Sequence, residues 1–185
     1  GEYEDTITMK PYVDIICENK ETVSIIAEDA PVVIGANDSR IEGCHLIASG
    51  TNLTEPIIVS INSTSPIIYN NILTASTTEL AIGINIENTL ASSKLEPLIS
   101  NNEFSSNLYQ GIVNFSDETE AIVMNNKLDQ VTGQALASLG GIINSNNNIF
   151  SGQLIDIYVS EEAKLYSQND TYNTLENSGI FVDAT

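Results

Sequence analysis

The stretch Ile68-Tyr-Asn-Asn-Ile-Leu73 decides the fold of this chain, because related six-residue phrases recur along the sequence. In the clearest copies an Asn-Asn pair stands at the third and fourth places, with an apolar residue at each end. The fourth place recurs at intervals of 22 to 31 residues. Such a period is typical of a solenoid, whose units bury their apolar faces only by stacking on one another. The related phrases are Ile41-Glu-Gly-Cys-His-Leu46, Ile99-Ser-Asn-Asn-Glu-Phe104, Val123-Met-Asn-Asn-Lys-Leu128, Ser145-Asn-Asn-Asn-Ile-Phe150 and the degraded Ser167-Gln-Asn-Asp-Thr-Tyr172.

The units of this repeat are built from strands. Most apolar residues are Ile, Val and Leu in short runs, separated by Asn, Ser, Thr and Gly, which predicts many short strands with polar turns. The alternation of Ile82, Ile84 and Ile86 is the period of two expected for a strand. The sequence therefore predicts an all-β fold, a right-handed parallel β-helix (solenoid) of about six or seven coils, with residues 1–185 as a single domain.

The run Ile180-Phe-Val182 begins a further coil near the end of the sequence. A solenoid that ends on a bare coil exposes strand edges, and such edges invite pairing with another chain. We therefore expect the chain to be a fragment of a longer surface protein, or to pack end to end or as a homo-oligomer.

The Asn pair predicts a turn followed by a hydrogen-bonded stack. Asn tolerates the left-handed backbone conformation and bonds its own backbone, so the pair suits the turn between two strands. Where the same Asn stacks coil after coil, each amide donates to the next, which forms a ladder. The residues at the fourth place that would form this structural ladder are Asn71, Asn102, Asn126, Asn148 and Asp170.

Two insertions lengthen the repeat, Ala48–Glu55 and Asn88–Glu96. Insertions in solenoids map to loops that bulge from one corner of the stack, and these loops often form the binding face. The alternative is that the loops are merely tolerated, because long surface loops cost little free energy.

The charge of the chain excludes some classes of partner. It has 25 acidic against six basic residues, a net charge of −19. A phosphate backbone requires clustered Lys and Arg, so nucleic acid is excluded, and an anionic membrane surface is disfavoured. No stretch approaches the ~20 apolar residues of a membrane span.

The two cysteines, Cys17 and Cys44, lie in neighbouring predicted coils. They are either buried thiols in the stacked core or one disulfide between coils. The frequent burial of free cysteine favours the first interpretation.

Several phrases resemble a known superfamily. The opening Tyr3-Glu-Asp-Thr-Ile-Thr-Met-Lys-Pro11, then Pro31-Val-Val-Ile34 and Ser39-Arg-Ile-Glu-Gly-Cys-His-Leu46, resemble the start of right-handed parallel β-helix proteins of the pectate-lyase-like superfamily. The resemblance implies the fold and a group that includes polysaccharide lyases, polygalacturonases, pectin esterases, phage tailspikes and adhesins. The Asn-Thr-Asp, Asp-Asp and Gly-His-Gly phrases of polygalacturonases do not occur here.

A narrower resemblance is to the passenger repeats of chlamydial polymorphic membrane proteins. Gly140-Gly-Ile-Ile143 and Phe104-Ser-Ser-Asn107 are similar to the Gly-Gly-x-Ile and Phe-x-x-Asn phrases of those repeats. Each phrase occurs in one copy here, whereas those proteins carry many.

One acidic turn is a candidate binding site. Asp117, Glu118 and Glu120 place three carboxylates within four residues, and Ca²⁺ prefers such oxygen ligands. The alternative is a solvated acidic turn. The only histidine, His45, alternates with apolar neighbours and is predicted to point outward, without a recognisable catalytic partner. The sequence thus predicts no catalytic residue, no metal ligand set and no obligatory cofactor, with Ca²⁺ as a candidate ligand.

A complete scaffold without a recognisable catalytic set favours a non-catalytic secreted or cell-surface module for recognition, adhesion or spacing. Its expected partner is a glycan or protein of a host or cell surface, and the seven tyrosines include candidates for stacking on sugars. The first alternative is a carbohydrate-active module of the lyase or hydrolase type. The second is an acidic decoy for a basic protein, whose binding would weaken steeply with salt.

Overall fold

The computed structural model describes residues 1–28, 31–50, 56–76, 80–90, 94–105, 107–129, 131–151, 154–160, 162–173 and 179–183, without the side chain of residue 151. The strands in these ranges are β1 (Glu2–Glu4), β2 (Ile7–Thr8), β3 (Asp14–Ile16), β4 (Ser24–Glu28), β5 (Val33–Ile34), β6 (Arg40–Glu42), β7 (His45–Ser49), β8 (Ile57–Asn62), β9 (Ile67–Tyr69), β10 (Ile72–Ser76), β11 (Ala81–Glu87), β12 (Leu98–Ser100), β13 (Glu103–Phe104), β14 (Leu108–Asn114), β15 (Glu120–Met124), β16 (Lys127–Asp129), β17 (Gln134–Ser138), β18 (Ile142–Asn146), β19 (Ile149–Ser151), β20 (Ile155–Val159), β21 (Lys164–Gln168), β22 (Thr171–Tyr172) and β23 (Ile180–Val182).

The strands form three parallel sheets around a solenoid of about seven turns. Within each sheet, every strand except the two at the ends pairs with its counterparts one coil before and one coil after it. Sheet A has the order β1-β4-β7-β10-β13-β16-β19-β22, sheet B the order β2-β5-β8-β11-β14-β17-β20-β23, and sheet C the order β3-β6-β9-β12-β15-β18-β21. The predicted all-β parallel β-helix is therefore confirmed.

The register stacks equivalent side chains of successive coils in inward columns. In sheet A, Leu46 lies opposite Leu73, Leu73 opposite Phe104 and Phe104 opposite Leu128. These four side chains are fully buried. Full burial of a side chain of this kind contributes about 1.5–3 kcal/mol, so the apolar places of the phrase hold the stack together.

The third place of the phrase makes a left-handed turn between sheets C and A. Asn70, Asn101 and Asn125 have φ angles of 54°, 57° and 56°, and Gly43 takes the same place with a φ of 71°. Asn is the non-glycine residue best suited to this conformation. The turn therefore selects Asn or Gly at the third place, independently of the buried fourth place.

A disulfide joins Cys17 and Cys44, whose Cα atoms are 5.2 Å apart. The interpretation of the two residues as buried thiols is therefore wrong, and the alternative, a bridge between neighbouring coils, is correct. The stacking brings two cysteines separated by 27 residues to the distance that a disulfide requires. Closing a loop of this length restricts the unfolded chain and contributes about 3.5 kcal/mol in the chain-entropy treatment.

The two insertions leave the stack at different corners. Ala48–Glu55 leads from β7 of sheet A to β8 of sheet B, whereas Asn88–Glu96 lies between β11 of sheet B and β12 of sheet C. The expectation that they share one corner is wrong, because a repeat length does not indicate which turn of a coil takes the added residues. Residues 51–55 and 91–93 of these loops lie outside the described residues.

Candidate functional site

The fourth-place Asn side chains are hydrogen-bonded in series inside the stack. Asn102 Nδ2 donates to the Ile68 carbonyl at 2.9 Å and to Asn126 Oδ1 at 3.1 Å. Asn102 Oδ1 accepts hydrogen bonds from the backbone N–H and the side-chain amide of Asn71, at 2.9 Å and 3.2 Å. Both donors and both lone pairs of this amide are thus used inside the protein. These groups hold coils together and are not open to a ligand.

Asp170 ends the series with a carboxylate. Its Oδ1 accepts from the backbone N–H and the side-chain amide of Asn148, at 2.7 Å and 3.0 Å. Its Oδ2 accepts from the hydroxyls of Ser145 and Ser167, at 2.7 Å and 2.6 Å. A carboxylate only accepts hydrogen bonds, so the two serines supply the donors that the second oxygen needs.

The three carboxylates of the acidic turn at residues 117–120 lie in different surroundings. Asp117 and Glu118 are exposed in the turn before β15. Glu120, at the start of β15, contacts Lys94 Nζ at 2.5 Å and accepts from the Asn144 amide at 3.1 Å. Within the described ranges, no group of three or more His, Cys, Asp and Glu side chains is placed to hold a metal ion. Glu120 is thus engaged by a lysine and an amide of the same protein.

The contact between Lys94 and Glu120 is expected to shift the titration of the carboxyl. The hydrogen bond from Lys94, and secondarily that from Asn144, hold the pKa of Glu120 below its ordinary value. A lowered folded-state pKa contributes stability above the ordinary carboxyl pKa, and this is lost as pH falls through the lowered value. Lys94→Met should therefore raise the pKa of Glu120, as measured by carbon-13 NMR titration of its carboxyl group.

Lys127→Met is the matched control for that titration. Lys127 also contacts two carboxylates, those of Glu103 and Asp129, but on sheet A. Its replacement should leave the pKa of Glu120 unchanged. An equal shift in both variants would mean that the loss of any positive charge, rather than the contact with Lys94, changes the titration.

His45 lies half-buried on the outer side of sheet A. Its Nε2 is 2.9 Å from the Thr74 hydroxyl. Burial lowers the pKa of the imidazole, and the charge of Glu21 partly opposes this effect. The ring therefore favours its neutral form.

Several strands of sheet B do not alternate regularly between inward and outward residues. In four successive strands, two consecutive residues face the core, so the alternation of a regular strand is interrupted. In β8 these are Ile58 and Val59, both fully buried in the main core. In β11, Ile84 lies in the core, and a Cβ on Gly83 would meet the buried ring of Phe104. The equivalent pairs are Gly111 with Ile112, and Ala135 with Leu136.

This interruption turns Ile82 outward, whereas Ile84 and Ile86 face the core. Ile82 packs with Val113 and Ala137 in a cluster separate from the main core, and Tyr158 packs against it. Val113 and Ala137 are fully buried although they lie on the outer side of the sheet. We call this outer side of sheet B the amide face; its described residues include Ile57, Ser60, Asn62, Ile82, Asn85, Glu87, Gln110, Val113, Phe115, Gln134, Ala137, Leu139, Tyr158, Ser160, Phe181 and Asp183.

Amide groups border the apolar floor of this face. Gln110 Nε2 donates to Gln134 Oε1 on the next coil at 2.5 Å. Asn85 Nδ2 donates to Glu87 Oε1 at 2.8 Å. Asn85 is 5% exposed, and its Oδ1 accepts no hydrogen bond. A buried carbonyl oxygen without a donor costs free energy.

Aromatic rings flank the amide face. Tyr109 is 38% exposed, and its ring lies against the backbone of Gly133 on the next coil. Phe115 is 48% exposed. Tyr158 stacks on Phe181 with ring centroids 5.6 Å apart and an interplanar angle of 11°. Such rings offer flat apolar surfaces beside the amide groups.

The charged side chains described on the amide face are acidic. Glu87 lies in β11, and the Tyr158 hydroxyl donates to the Asp183 carboxylate at 3.2 Å. None of the six Lys and Arg residues lies on a strand of sheet B. The described basic residues that form ion pairs, Arg40, Lys94 and Lys127, contact acidic residues away from this sheet.

Sequence reasoning did not identify the amide face as a site. A period of two assigns Ile82 to the same side of the strand as Ile84 and Ile86. The sequence pattern therefore does not indicate that Ile82 faces outward. The available signal was Gly83 and its counterpart Gly111, because a glycine inside a strand often marks a bulge or a close approach of other atoms.

Comparisons with known proteins give a family for this chain. A family model described as "Protein of unknown function (DUF1565)" matches residues 3–177. No curated protein and no solved structure matches the chain. The described part of the chain also holds no helix with the length and apolar character of a membrane span.

Proposed function

Because this chain belongs to the DUF1565 family, whose description names no function, we propose a function from its surface. The protein is an extracellular or cell-surface recognition module that binds its ligand without chemical turnover. The ligand lies on the amide face of sheet B. The solenoid acts as a rigid support that presents this face.

The observation that carries the proposal is the combination of exposed aromatic rings and half-buried amide side chains on the outer side of sheet B. Ligand sites combine an apolar lining with a few placed polar groups that orient the ligand. The amide face has this composition, because Tyr109 and Phe115 expose their rings there and the amides of Gln110 and Gln134 are only half-buried. Its side chains are carried by paired strands, which hold them more rigidly than loops would.

The spacing of its carboxylates supports binding rather than hydrolysis. Glu87 and Asp183 lie in one outward column, and the intervening coils carry Phe115, Leu139 and Ser160. Four coil steps of about 4.8 Å separate them by roughly 19 Å. The paired carboxylates of glycosidases lie about 5–9.5 Å apart. The two groups are therefore too distant to act together on one glycosidic bond.

The disulfide supports the extracellular location. Disulfides such as Cys17–Cys44 form and persist in oxidising compartments and are rare in the cytosol of mesophiles. The resemblance to the pectate-lyase-like superfamily, and the narrower one to chlamydial polymorphic membrane proteins, agree with a role at a cell surface. They add a preference for glycan ligands to the proposal.

The test is a glycan array with and without Ca²⁺, followed by a turnover assay on every glycan that binds. We expect binding with the ligand recovered at its original length. Shortened products would overturn the proposal in favour of a carbohydrate-active module. Failure to bind any glycan, together with capture of a basic protein that weakens steeply with added salt, would favour the acidic decoy.

A further inference from the structure

We infer that the protein has a second binding site, on the outer side of sheet C, and that this site takes an N-acetylated amino sugar. The site is a cavity of about 280 Å³ between two outward columns of side chains, which span three successive coils. The two columns are Ile122-Asn144-Tyr166 and Met124-Asn146-Gln168. Because sheet C is separate from sheet B, a ligand here and a ligand on the amide face occupy different sides of the stack.

A ligand reaches this cavity directly from solvent. Tyr166 is 60% exposed, Ile122 is 39% exposed, and Gln168 is exposed as well. Asn144 and Met124 are half-buried between them. Small-molecule sites begin at about 300 Å³, so the cavity has the size for one sugar residue rather than for a long segment of a polymer.

The lining of the cavity is uncharged. The described residues around it include no Asp, Glu, Lys or Arg, although the chain carries a net charge of −19. The nearby carboxylate of Glu120 is already engaged by Lys94 and by the Asn144 amide. A charged ligand group would lose its hydration here without gaining an ion pair, so the lining favours an uncharged ligand.

Tyr166 and Gln168 suit the ring of a sugar. The exposed ring of Tyr166 offers a flat apolar surface with a hydroxyl at its edge, on which the C–H bonds of a sugar ring can stack. The exposed amide of Gln168, in the neighbouring column of the same strand, has both donors and an acceptor for sugar hydroxyls. A neutral sugar ring therefore finds an apolar platform and polar partners on one coil.

Asn144 and Ile122 suit an acetamido group on that ring. Asn144 Nδ2 donates to Glu120 Oε1 at 3.1 Å, which leaves its carbonyl oxygen as the acceptor for a ligand N–H, and this oxygen is not sealed from solvent. Ile122 lies one coil away in the same column, and Met124 lies beside it. An acetamido group carries an N–H donor close to a methyl group, so its N–H can bond to Asn144 while its methyl group packs on Ile122 and Met124.

The experiment is isothermal titration of the whole chain with tri-N-acetylchitotriose and with cellotriose, which differ only in the group at C2 of each sugar. We expect tri-N-acetylchitotriose to bind at least about tenfold more tightly, because only its acetamido groups supply the N–H and the methyl group. Tyr166→Ala should weaken this binding about tenfold, through the loss of the stacking surface. Ile122→Thr should also weaken it, because the change removes apolar contact and keeps a β-branched residue in the strand.

Tyr3→Ala and Ile149→Thr are the matched controls. Tyr3 is 63% exposed and Ile149 is 42% exposed, and both lie on strands of sheet A. Their replacement should leave the affinity for tri-N-acetylchitotriose unchanged. Since all four replaced side chains are exposed, each variant should keep the wild-type circular dichroism spectrum, so that a change in affinity reports on the site.

Three results would overturn the inference. The first is no binding of tri-N-acetylchitotriose at millimolar concentration, and the second is equal affinity for cellotriose. The third is equal affinity of Tyr166→Ala and Tyr3→Ala, which would place the sugar elsewhere on the protein. The N-acetylated tripeptide amide of alanine carries an acetamido group without a sugar ring and should not bind; if it bound more tightly than the trisaccharide, the site would be one for peptides and the inference would be wrong.

Discussion

Asn126→Leu is expected to lower the free energy of unfolding by about 4 kcal/mol, at a net value of about 1 kcal/mol for each of four lost hydrogen bonds. Asn126 Oδ1 accepts from the backbone N–H and the amide of Asn102. Its Nδ2 donates to the Ile99 carbonyl and to Asn148 Oδ1, both at 3.0 Å. Leucine fills the same space but removes these partners from buried groups on the two neighbouring coils. Urea denaturation followed by circular dichroism measures the change.

Asn125→Gly is the control for this substitution. Asn125 is exposed in the same turn and has a φ of 56°, which glycine adopts without strain. Its replacement should change the free energy of unfolding by less than about 1 kcal/mol. Equal losses in the two variants would assign the effect to the turn rather than to the buried amide, and would contradict our account.

Gly111→Val is expected to lower the free energy of unfolding by about 3 kcal/mol, a typical cost of overpacking a core. A Cβ at this residue would lie 2.4 Å from the carbonyl oxygen of Ala135 and 2.6 Å from Leu128 Cδ2. The first contact is with backbone, so a change of rotamer does not relieve it, and the neighbouring coil must move. In a chain of this size the melting temperature should fall by roughly 6–12 °C, as measured by calorimetry.

Gly179→Ala is the corresponding control. The nearest atom to a Cβ there is Asp156 Oδ2 at 3.5 Å, an ordinary contact distance. The melting temperature should therefore change by no more than roughly 3 °C. A melting temperature of Gly111→Val equal to that of the wild type would show that the coils move apart at little cost, contrary to the close packing described here.

The fold class was predictable because each repeat unit has to meet the same local requirements for burial and for a turn. The apolar ends of Val123-Met-Asn-Asn-Lys-Leu128 predict inward positions, and Val123 and Leu128 are fully buried. The left-handed turn favours Asn or Gly independently of the neighbouring coils. The residue type at the third place can therefore be predicted from the sequence of a single coil. These requirements recur in each unit, and their repetition indicates a solenoid.

The disulfide was not predictable, since the pairing of two cysteines depends on the distance between neighbouring coils. Sequence reasoning left both states of Cys17 and Cys44 open and favoured the wrong one. The positions of the insertions were missed for a related reason, because the repeat length counts residues but does not assign them to one of three turns.

The amide face was not predictable either. Along the chain, Asn85 and Gln134 are two amides among many, and Ile82 follows the pattern of a core residue. Only the interrupted alternation in sheet B turns Ile82 outward, and only the stacking of coils places Val113 and Ala137 beside Asn85.

The sequence by itself thus determined the all-β parallel β-helix, since its apolar and Asn positions satisfy local turn and burial requirements that recur in each coil. The tertiary structure alone decided which buried acceptor has no donor, which cysteines meet and which face combines amides with aromatic rings. These features depend on contacts between residues about one coil apart, and their geometry follows from the register of the sheets.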